Sequence, residues 1–381
     1  MFNKVSVAIA AALFSSTAFA IAPNVAPDIE IFMSGASAQD NGIAALFTDL
    51  CVAGTTDVYK DGVVPAPTGS SHFAYYCTMD VTQVTDGSGV GAGMQDWIAA
   101  HPGVNPNVLF HKRAAGGSAQ GVNPVIDETA IAHMVINNGN CTETAAGSRL
   151  WACNITNAGN TVNVVSDAGV SDVNPEMFVG DNVPAGFGPI NASVVAAKMT
   201  VVPGAALVFG IPVSLPMYNA LQLAQGKTVG AIDEANMPSL SKAEVASIMA
   251  GKVKNWNQFK AGPAGQGLRD YVVALGGVAP SSNLVNICRR VNGSGTQAQM
   301  NAKFMNYPCT AGALAPTVTS NTFTGPVVTL NSSSGNVDTC LNTAATNNRW
   351  AVGLQALEKN FLVGGAYPLA YRFVKIDGVA R

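Results

Sequence analysis

The sequence predicts an α/β protein of two domains whose ligand lies beyond the carboxyl ends of its strands. Three observations carry this. A short apolar run leading into a turn of small residues recurs four times, at residues 29–42, 107–122, 162–169 and 284–296. The first and last of these turns pass directly into helical apolar spacing, through Ile43, Leu46, Phe47 and Leu50 in one case and Met300 and Phe304 in the other. The chain of 381 residues is also long enough for two domains of ordinary size. Alternating strands and helices form α/β sheets, and ligands of such sheets sit in the crevice outside the strand ends.

Taken in order, the chain opens with Lys4, an apolar core from Val5 to Phe14, and Ala18-Phe19-Ala20 as an A-x-A cleavage site. This reads as a signal peptide over 1–20, with export to the periplasm or beyond. The apolar core is too short for a membrane anchor, and no later stretch offers about 18 uninterrupted apolar residues. Two domains are expected, 21–203 and 204–381, joined near the apolar run Val201 to Val213.

The first junction runs from Ile29–Met33 into Ser34–Gly42, and its turn offers the Ser37 hydroxyl and backbone N–H groups at a helix start. Residues 52–105 are rich in Gly, Thr, Asp and Pro. The second junction runs from Asn107–Arg113 into Ala114–Val122, with Ser118 in the turn, and residues 123–160 form a polar excursion. The third runs from Val162–Val165 into Ser166-Asp167-Ala168-Gly169. Further on, Ser241 and Glu244 are spaced as a capping box, with Val245, Ile248 and Met249 on the apolar face and Gly251 to close the helix. Trp256 reads as a packing anchor.

In the fourth junction Leu284, Val285 and Ile287 lead into Arg289, Arg290 and the turn Asn292-Gly293-Ser294-Gly295-Thr296. Unpaired backbone N–H groups, two hydroxyls and a guanidinium at a helix N-terminus make an anion cradle. Residues 310–338 are rich in Thr, Ser, Asn and Gly and read as loop. Residues 371–378 alternate and read as a strand.

Charged residues are 11% of the chain and the net charge is −3, which argues against a nucleic-acid surface, since that needs a basic excess. Seven cysteines in an exported chain are expected mostly to pair. Modest loop lengths favour Cys51–Cys77, Cys141–Cys153 and Cys309–Cys340, leaving Cys288 as a buried thiol. His72, His101, His111 and His133 are scattered without a ligand pattern, so neither a metal nor a cofactor is expected.

At these residues the chain resembles the phosphate-binding protein of bacterial phosphate ABC transporters, a type 2 periplasmic-binding-protein fold of two lobes with a ligand cleft between them. The family's turn R-R-x-D-G-S-G-T reads here Arg289-Arg290-Val291-Asn292-Gly293-Ser294-Gly295-Thr296. The resemblance implies that Arg290, Ser294, Gly295 and Thr296 contact the anion and that Arg289 is a neighbour. Gly35-Ala36-Ser37-Ala38 matches the family's first binding turn, so Ser37 and Ala38 are implied. Gly117–Gly121 carries over Ser118, and Val165–Gly169 carries over Asp167. The stretch from Ser241 to Trp256 matches a structural segment of the family. Ala38 stands where the family commonly has an aromatic residue and Asn292 where it has Asp. The stretches between Ser37, Ser118 and Asp167 are longer than the family's.

The resemblance implies a binding protein, not an enzyme, that holds phosphate or a similar oxyanion and serves ABC-transporter membrane subunits. Asp167 would accept the phosphate O–H that sulfate lacks. A different expectation is an exported surface or secreted protein that reuses the fold for adhesion or assembly. A phosphatase ranks last, because Ser37, Ser118 and Ser294 have no recognisable His partner beside them.

Overall fold

The computed structural model describes residues 23–380, apart from 68, 70, 85–91, 205–206 and 309–312. The expected signal peptide and Cys309 lie outside the described residues. The first half holds β1 (Ile29–Gly35), α1 (Asp40–Asp49), β2 (Asp57–Asp61), β3 (His72–Thr78), α2 (Ala92–Ala100), β4 (Asn107–Arg113) and α3 (Asn123–Ile126). It continues with β5 (Ile131–Met134), β6 (Cys141–Glu143), β7 (Leu150–Cys153), β8 (Thr161–Val164), β9 (Ala168–Val170) and α4 (Ala192–Lys198). Seven of these strands form one sheet in the order β6-β7-β2-β3-β4-β1-β9. β1 runs parallel to both β4 and β9, while β3 is antiparallel to β2 and β4. β5 and β8 form a separate antiparallel pair, and β5 packs across β3 and β4.

The second half begins with β10 (Phe209–Gly210), β11 (Pro212–Ser214), α5 (Leu215–Ala224), β12 (Ser239–Leu240), α6 (Lys242–Met249) and α7 (Leu268–Ala274). It then runs through β13 (Asn286–Arg290), α8 (Gly295–Met305), β14 (Val327–Asn331), α9 (Ser334–Thr346), β15 (Ala351–Gly353), β16 (Gln355–Ala356), β17 (Tyr371–Phe373) and β18 (Lys375–Ile376). Its main sheet has the order β14-β13-β15-β11-β17, with β13 parallel to β14 and β15, and β11 antiparallel to β15 and β17.

Each sheet has its own apolar cores. In the second half, Trp256 and Trp350 are fully buried and meet edge to face at 5.9 Å, among Ile211, Val213, Met217, Ile287 and Val352. Trp256 is thus the packing anchor its sequence suggests. The capping box also forms: Ser241 Oγ accepts from Glu244 N at 3.2 Å, and Glu244 Oε2 accepts from Ser241 N at 2.7 Å.

Two of the expected disulfides are present. Cys51–Cys77 ties the end of α1 to β3, and Cys141–Cys153 joins the paired strands β6 and β7. The third is Cys288–Cys340, so Cys288 is not a free thiol and Cys340 is not bonded to Cys309. The reason is that residues 310–338 are not all loop: they contain β14 and the first turn of α9. α9 lies against β13 and brings Cys340 to a Cα distance of 5.9 Å from Cys288.

The strand orders explain where a site can lie. In the first sheet β1 has β4 on one side and β9 on the other, all parallel. In the second, β13 has β14 on one side and β15 on the other, again all parallel. A strand whose successors leave to opposite sides opens a crevice at its carboxyl end. The turns after Gly35 and after Arg290 are brought together by hydrogen bonds through the turn after β14, and the turn after β4 bonds directly to the turn after Arg290.

Candidate functional site

Each wall of the junction is a turn following a strand. After β1, Gly35 has a φ of 118°, and a Cβ on it would lie 2.1 Å from the carbonyl oxygen of Val170, so a side chain has no room. Ala36, Ser37 and Ala38 follow, all buried. Beneath them Lys112 of β4, 1% exposed, pairs with Asp40 at 3.0 Å and donates to the carbonyl oxygen of Ala36 at 3.0 Å. After β4 the chain turns through Gly116 and Gly117 to Ser118. Gly117, with a φ of 77°, lies so near the other half that a Cβ would be 2.8 Å from the Cα of Ser294.

In the second half, successive side chains of β13 point to opposite faces. Arg289 turns away, donating from Nη1 to the Thr317 carbonyl at 2.7 Å and from Nη2 to Asn292 Oδ1 at 3.0 Å. It is a buried structural residue. Arg290 turns into the junction and is fully buried. Its Nε donates to the Asn331 carbonyl at 3.2 Å, Nη1 to Ser334 Oγ at 3.3 Å and Nη2 to the Ser332 carbonyl at 2.9 Å. Burial pulls its pKa down to about 10, against the opposing charges of Asp172 and Asp40, so the guanidinium is charged at neutral pH. Ser294 caps α8 by accepting from Gln297 N at 3.3 Å.

The halves are joined by side chains from these turns. Ser118 Oγ accepts from Gly295 N at 3.1 Å and from Asp172 N at 3.1 Å, and donates to Asp172 Oδ2 at 3.3 Å. Thr296 Oγ1 donates to the same Asp172 oxygen at 2.9 Å. Ser37 Oγ lies 3.0 Å from Ser334 Oγ and accepts from Ser334 N at 3.0 Å. Ala119 N donates to the Gly293 carbonyl at 2.7 Å.

The structure therefore brings together Ser37, Ser118, Arg290, Ser294, Gly295 and Thr296, with Ala38 buried in the turn beside Ser37. It does not bring Asp167. That residue is exposed at the start of β9, where its Oδ2 accepts from Phe32 N at 2.8 Å. Asp172 follows β9 at the other end and takes the carboxylate's place. The strand-like run Val162–Val165 misled the sequence reading. Most of it is β8, which pairs with β5 outside the main sheet, and the strand entering the junction is the inconspicuous Ala168-Gly169-Val170. Ser334 was hidden in the same way, within residues read as loop.

Asp172 has an unusual balance. Its Oδ2 holds two hydroxyls, but its Oδ1 is buried without a hydrogen-bond partner among the described residues. Burial raises its pKa, while Thr296, Arg290, Ser118 and Lys112 pull the other way. Burial likewise raises that of Asp40, against Lys112. The junction thus offers one committed cation in Arg290, several hydroxyls, and one buried carboxylate oxygen that lacks a donor. Such a set suits an anion that carries a proton of its own. No family model, no curated protein and no solved structure matches the chain.

Proposed function

We propose that the chain is an exported solute-binding protein for an inorganic oxyanion, with phosphate preferred, in a two-lobed fold of the type 2 periplasmic-binding-protein kind. The observation that carries the reading is Asp172 Oδ1, a buried acceptor without a partner set among Ser118, Thr296 and Arg290. An ionised carboxylate accepts and does not donate, so it favours a ligand that brings an O–H. Phosphate at neutral pH has one and sulfate has none. Facing sulfate, the carboxylate would stay buried and unpaired, which costs about 1–3 kcal/mol or more. The matching placement of β1 and β13, each between two parallel neighbours, supports the same reading, because closure of two halves around a ligand would bring their turns onto it from both sides. Ser37, Ser118, Ser294, Gly295 and Thr296 supply hydroxyl or amide donors and Arg290 the charge. Among the hydrogen bonds of these hydroxyls the partners are hydroxyl, carboxylate or backbone groups, not an imidazole base, which favours binding over catalysis. Delivery to the membrane subunits of an ABC transporter would follow; among the described residues, no helix is long and apolar enough to cross a membrane.

Calorimetric titration of the mature protein with phosphate, sulfate and arsenate tests this. Phosphate is expected to bind more tightly than sulfate. Asp172→Asn is expected to lose most of that preference, while Asp167→Asn keeps it. Equal or undetectable binding of phosphate and sulfate by the parent protein would sink the proposal.

One observation favours a second reading, an exported adhesion or assembly protein that reuses the fold. The donors of the junction already satisfy one another across the two halves, and the first sheet is extended by β2, β3, β6 and β7 with two disulfides among its additions. Absence of anion binding, with the junction intact, would favour it.

A further inference from the structure

We infer that Ser334, in the turn after β14, is a residue of the oxyanion site, and that its hydroxyl marks the position of one ligand oxygen; this rests on the oxyanion reading above. Three contacts carry it. Ser334 Oγ lies 3.0 Å from Ser37 Oγ and 3.3 Å from Arg290 Nη1, so one oxygen meets a hydroxyl of the first half and a guanidinium of its own. Ser37 Oγ also accepts from Ser334 N at 3.0 Å, and between the two hydroxyls either oxygen can be the donor. An oxygen that accepts from a guanidinium and sits within hydrogen-bond reach of a serine hydroxyl stands where an anionic oxygen would, and does so as a neutral group. All three side chains are buried, each no more than 2% exposed.

The local structure fits the role. Ser334 is the first residue of α9, a helix of 13 residues, and the capping of that helix belongs to Ser333, whose Oγ accepts from Asn336 N at 3.2 Å. The Ser334 side chain is therefore not needed to start the helix. Its neighbour Ser332 holds Arg290 through the carbonyl, so the turn fixes the guanidinium whatever the residue at 334. Ser334 Oγ and the ligand compete for the same two donors. Removing it releases the Ser37 hydroxyl and Arg290 Nη1 while the Ser334 backbone N–H stays in place.

The test is calorimetry with inorganic phosphate on the mature parent protein, Ser334→Ala, Ser334→Thr, Ser37→Ala and the Ser37→Ala/Ser334→Ala pair. Ser334→Ala is expected to bind phosphate roughly five- to tenfold more tightly, about the worth of one hydrogen bond no longer contested. Ser334→Thr, which keeps a hydroxyl, should match the parent. In a Ser37→Ala background the gain should shrink, because one of the released donors is gone. Measurable binding by the parent, tightened in Ser334→Ala, would support the inference. If the parent binds and Ser334→Ala binds equally or more weakly, the inference fails and the oxyanion reading stands. If the parent does not bind phosphate, both fail.

Discussion

Of the two central strands at the junction, β13 is buried along its whole length and carries its cations on itself, Arg289 and Arg290, each held by carbonyl or amide oxygens. β1 is only partly buried and ends in uncharged residues; the cation beneath its turn is Lys112 of the next strand, engaged with Asp40. The difference extends outward. The second half has the larger apolar core, with Trp256 and Trp350 at its centre. The first half divides its apolar residues among smaller clusters and adds two disulfides and all four histidines. The second half is a platform that carries its charge on β13 itself. The first is a composite sheet that brings Ser37, Ser118 and the carboxylate of Asp172 to the junction.

That contrast can be broken at the disulfides. Cys288–Cys340 closes 52 residues around the central strand of the platform, and Cys141–Cys153 closes 12 residues at the rim of the other sheet. Loop-closure entropy alone gives about 4 kcal/mol for the first and about 3 kcal/mol for the second. The larger loss is expected from replacing Cys288 and Cys340 by Ala, because the Cys288 side chain also packs among Val337, Leu341 and Tyr371. Urea unfolding of the two double variants measures it. A greater loss from the Cys141/Cys153 pair would contradict that ordering.

Acid sharpens the same comparison. His133 is buried, with Nε2 3.1 Å from Ser166 Oγ, and its ring meets Phe32 at 5.1 Å and His111 at 6.4 Å. Burial first, then the charges of His111, Arg113, His72 and Lys112, press its pKa down to about 3. His72 is lowered too, again mainly by burial. A histidine depressed in the fold contributes stability that is complete above its unfolded pKa near 6.5 and is lost as pH falls toward the folded value. Between pH 7 and pH 5 the parent is expected to lose about 2 kcal/mol more than His133→Gln. The comparison with the variant matters, because Asp40, Asp172 and Asp338 have raised pKa values and gain stability as the pH falls, in both proteins alike. Hydrogen exchange at pH 5 should show opening first in the half that holds the histidines. Equal loss in parent and variant would contradict the argument.

The junction was legible in sequence wherever a turn followed a strand of ordinary composition. β1, β4 and β13 are apolar enough to be seen, and Ser37, Ser118, Arg290, Ser294 and Thr296 were found through them. Asp172 and Ser334 were not. The strand before Asp172 is Ala-Gly-Val, three small residues whose strand character comes from pairing with β1. The strand and helix flanking Ser334 sit in a Ser/Thr/Asn-rich stretch whose polarity resembles a loop; α9 is held by its packing on β13 and β15. The same blindness produced the wrong partner for Cys340. The histidines were scattered in sequence because the sheet, not the chain, gathers them: register pairs Phe32 with His111 and His72 with Arg113, and β5 lays His133 across them.

The smallest expected effect is at Asn292, where the resembling family has Asp. Here Asn292 Oδ1 accepts from Arg289 Nη2 at 3.0 Å, and burial has pulled Arg289 down to about 10, with Asp181 opposing. A carboxylate in the same place would make that hydrogen bond charge-assisted and give the buried guanidinium a second opposing charge. Position 292 is half-buried, so solvent and salt screen the gain, and Asn292→Asp should stabilise by no more than about 1 kcal/mol. A carboxylate whose pKa is depressed by this partner contributes above its unfolded value near 3.9 and ceases to do so as the pH falls through the folded one. The urea midpoint of Asn292→Asp should therefore exceed the parent's at pH 7, and the margin should narrow in 1 M salt and at pH 3. Destabilisation at pH 7 would mean that the new carboxylate is held apart from Arg289 and pays its desolvation unpaired. In that case the platform half would be specified by neutral hydrogen bonds to its arginines, and its difference from the first half would lie in packing alone.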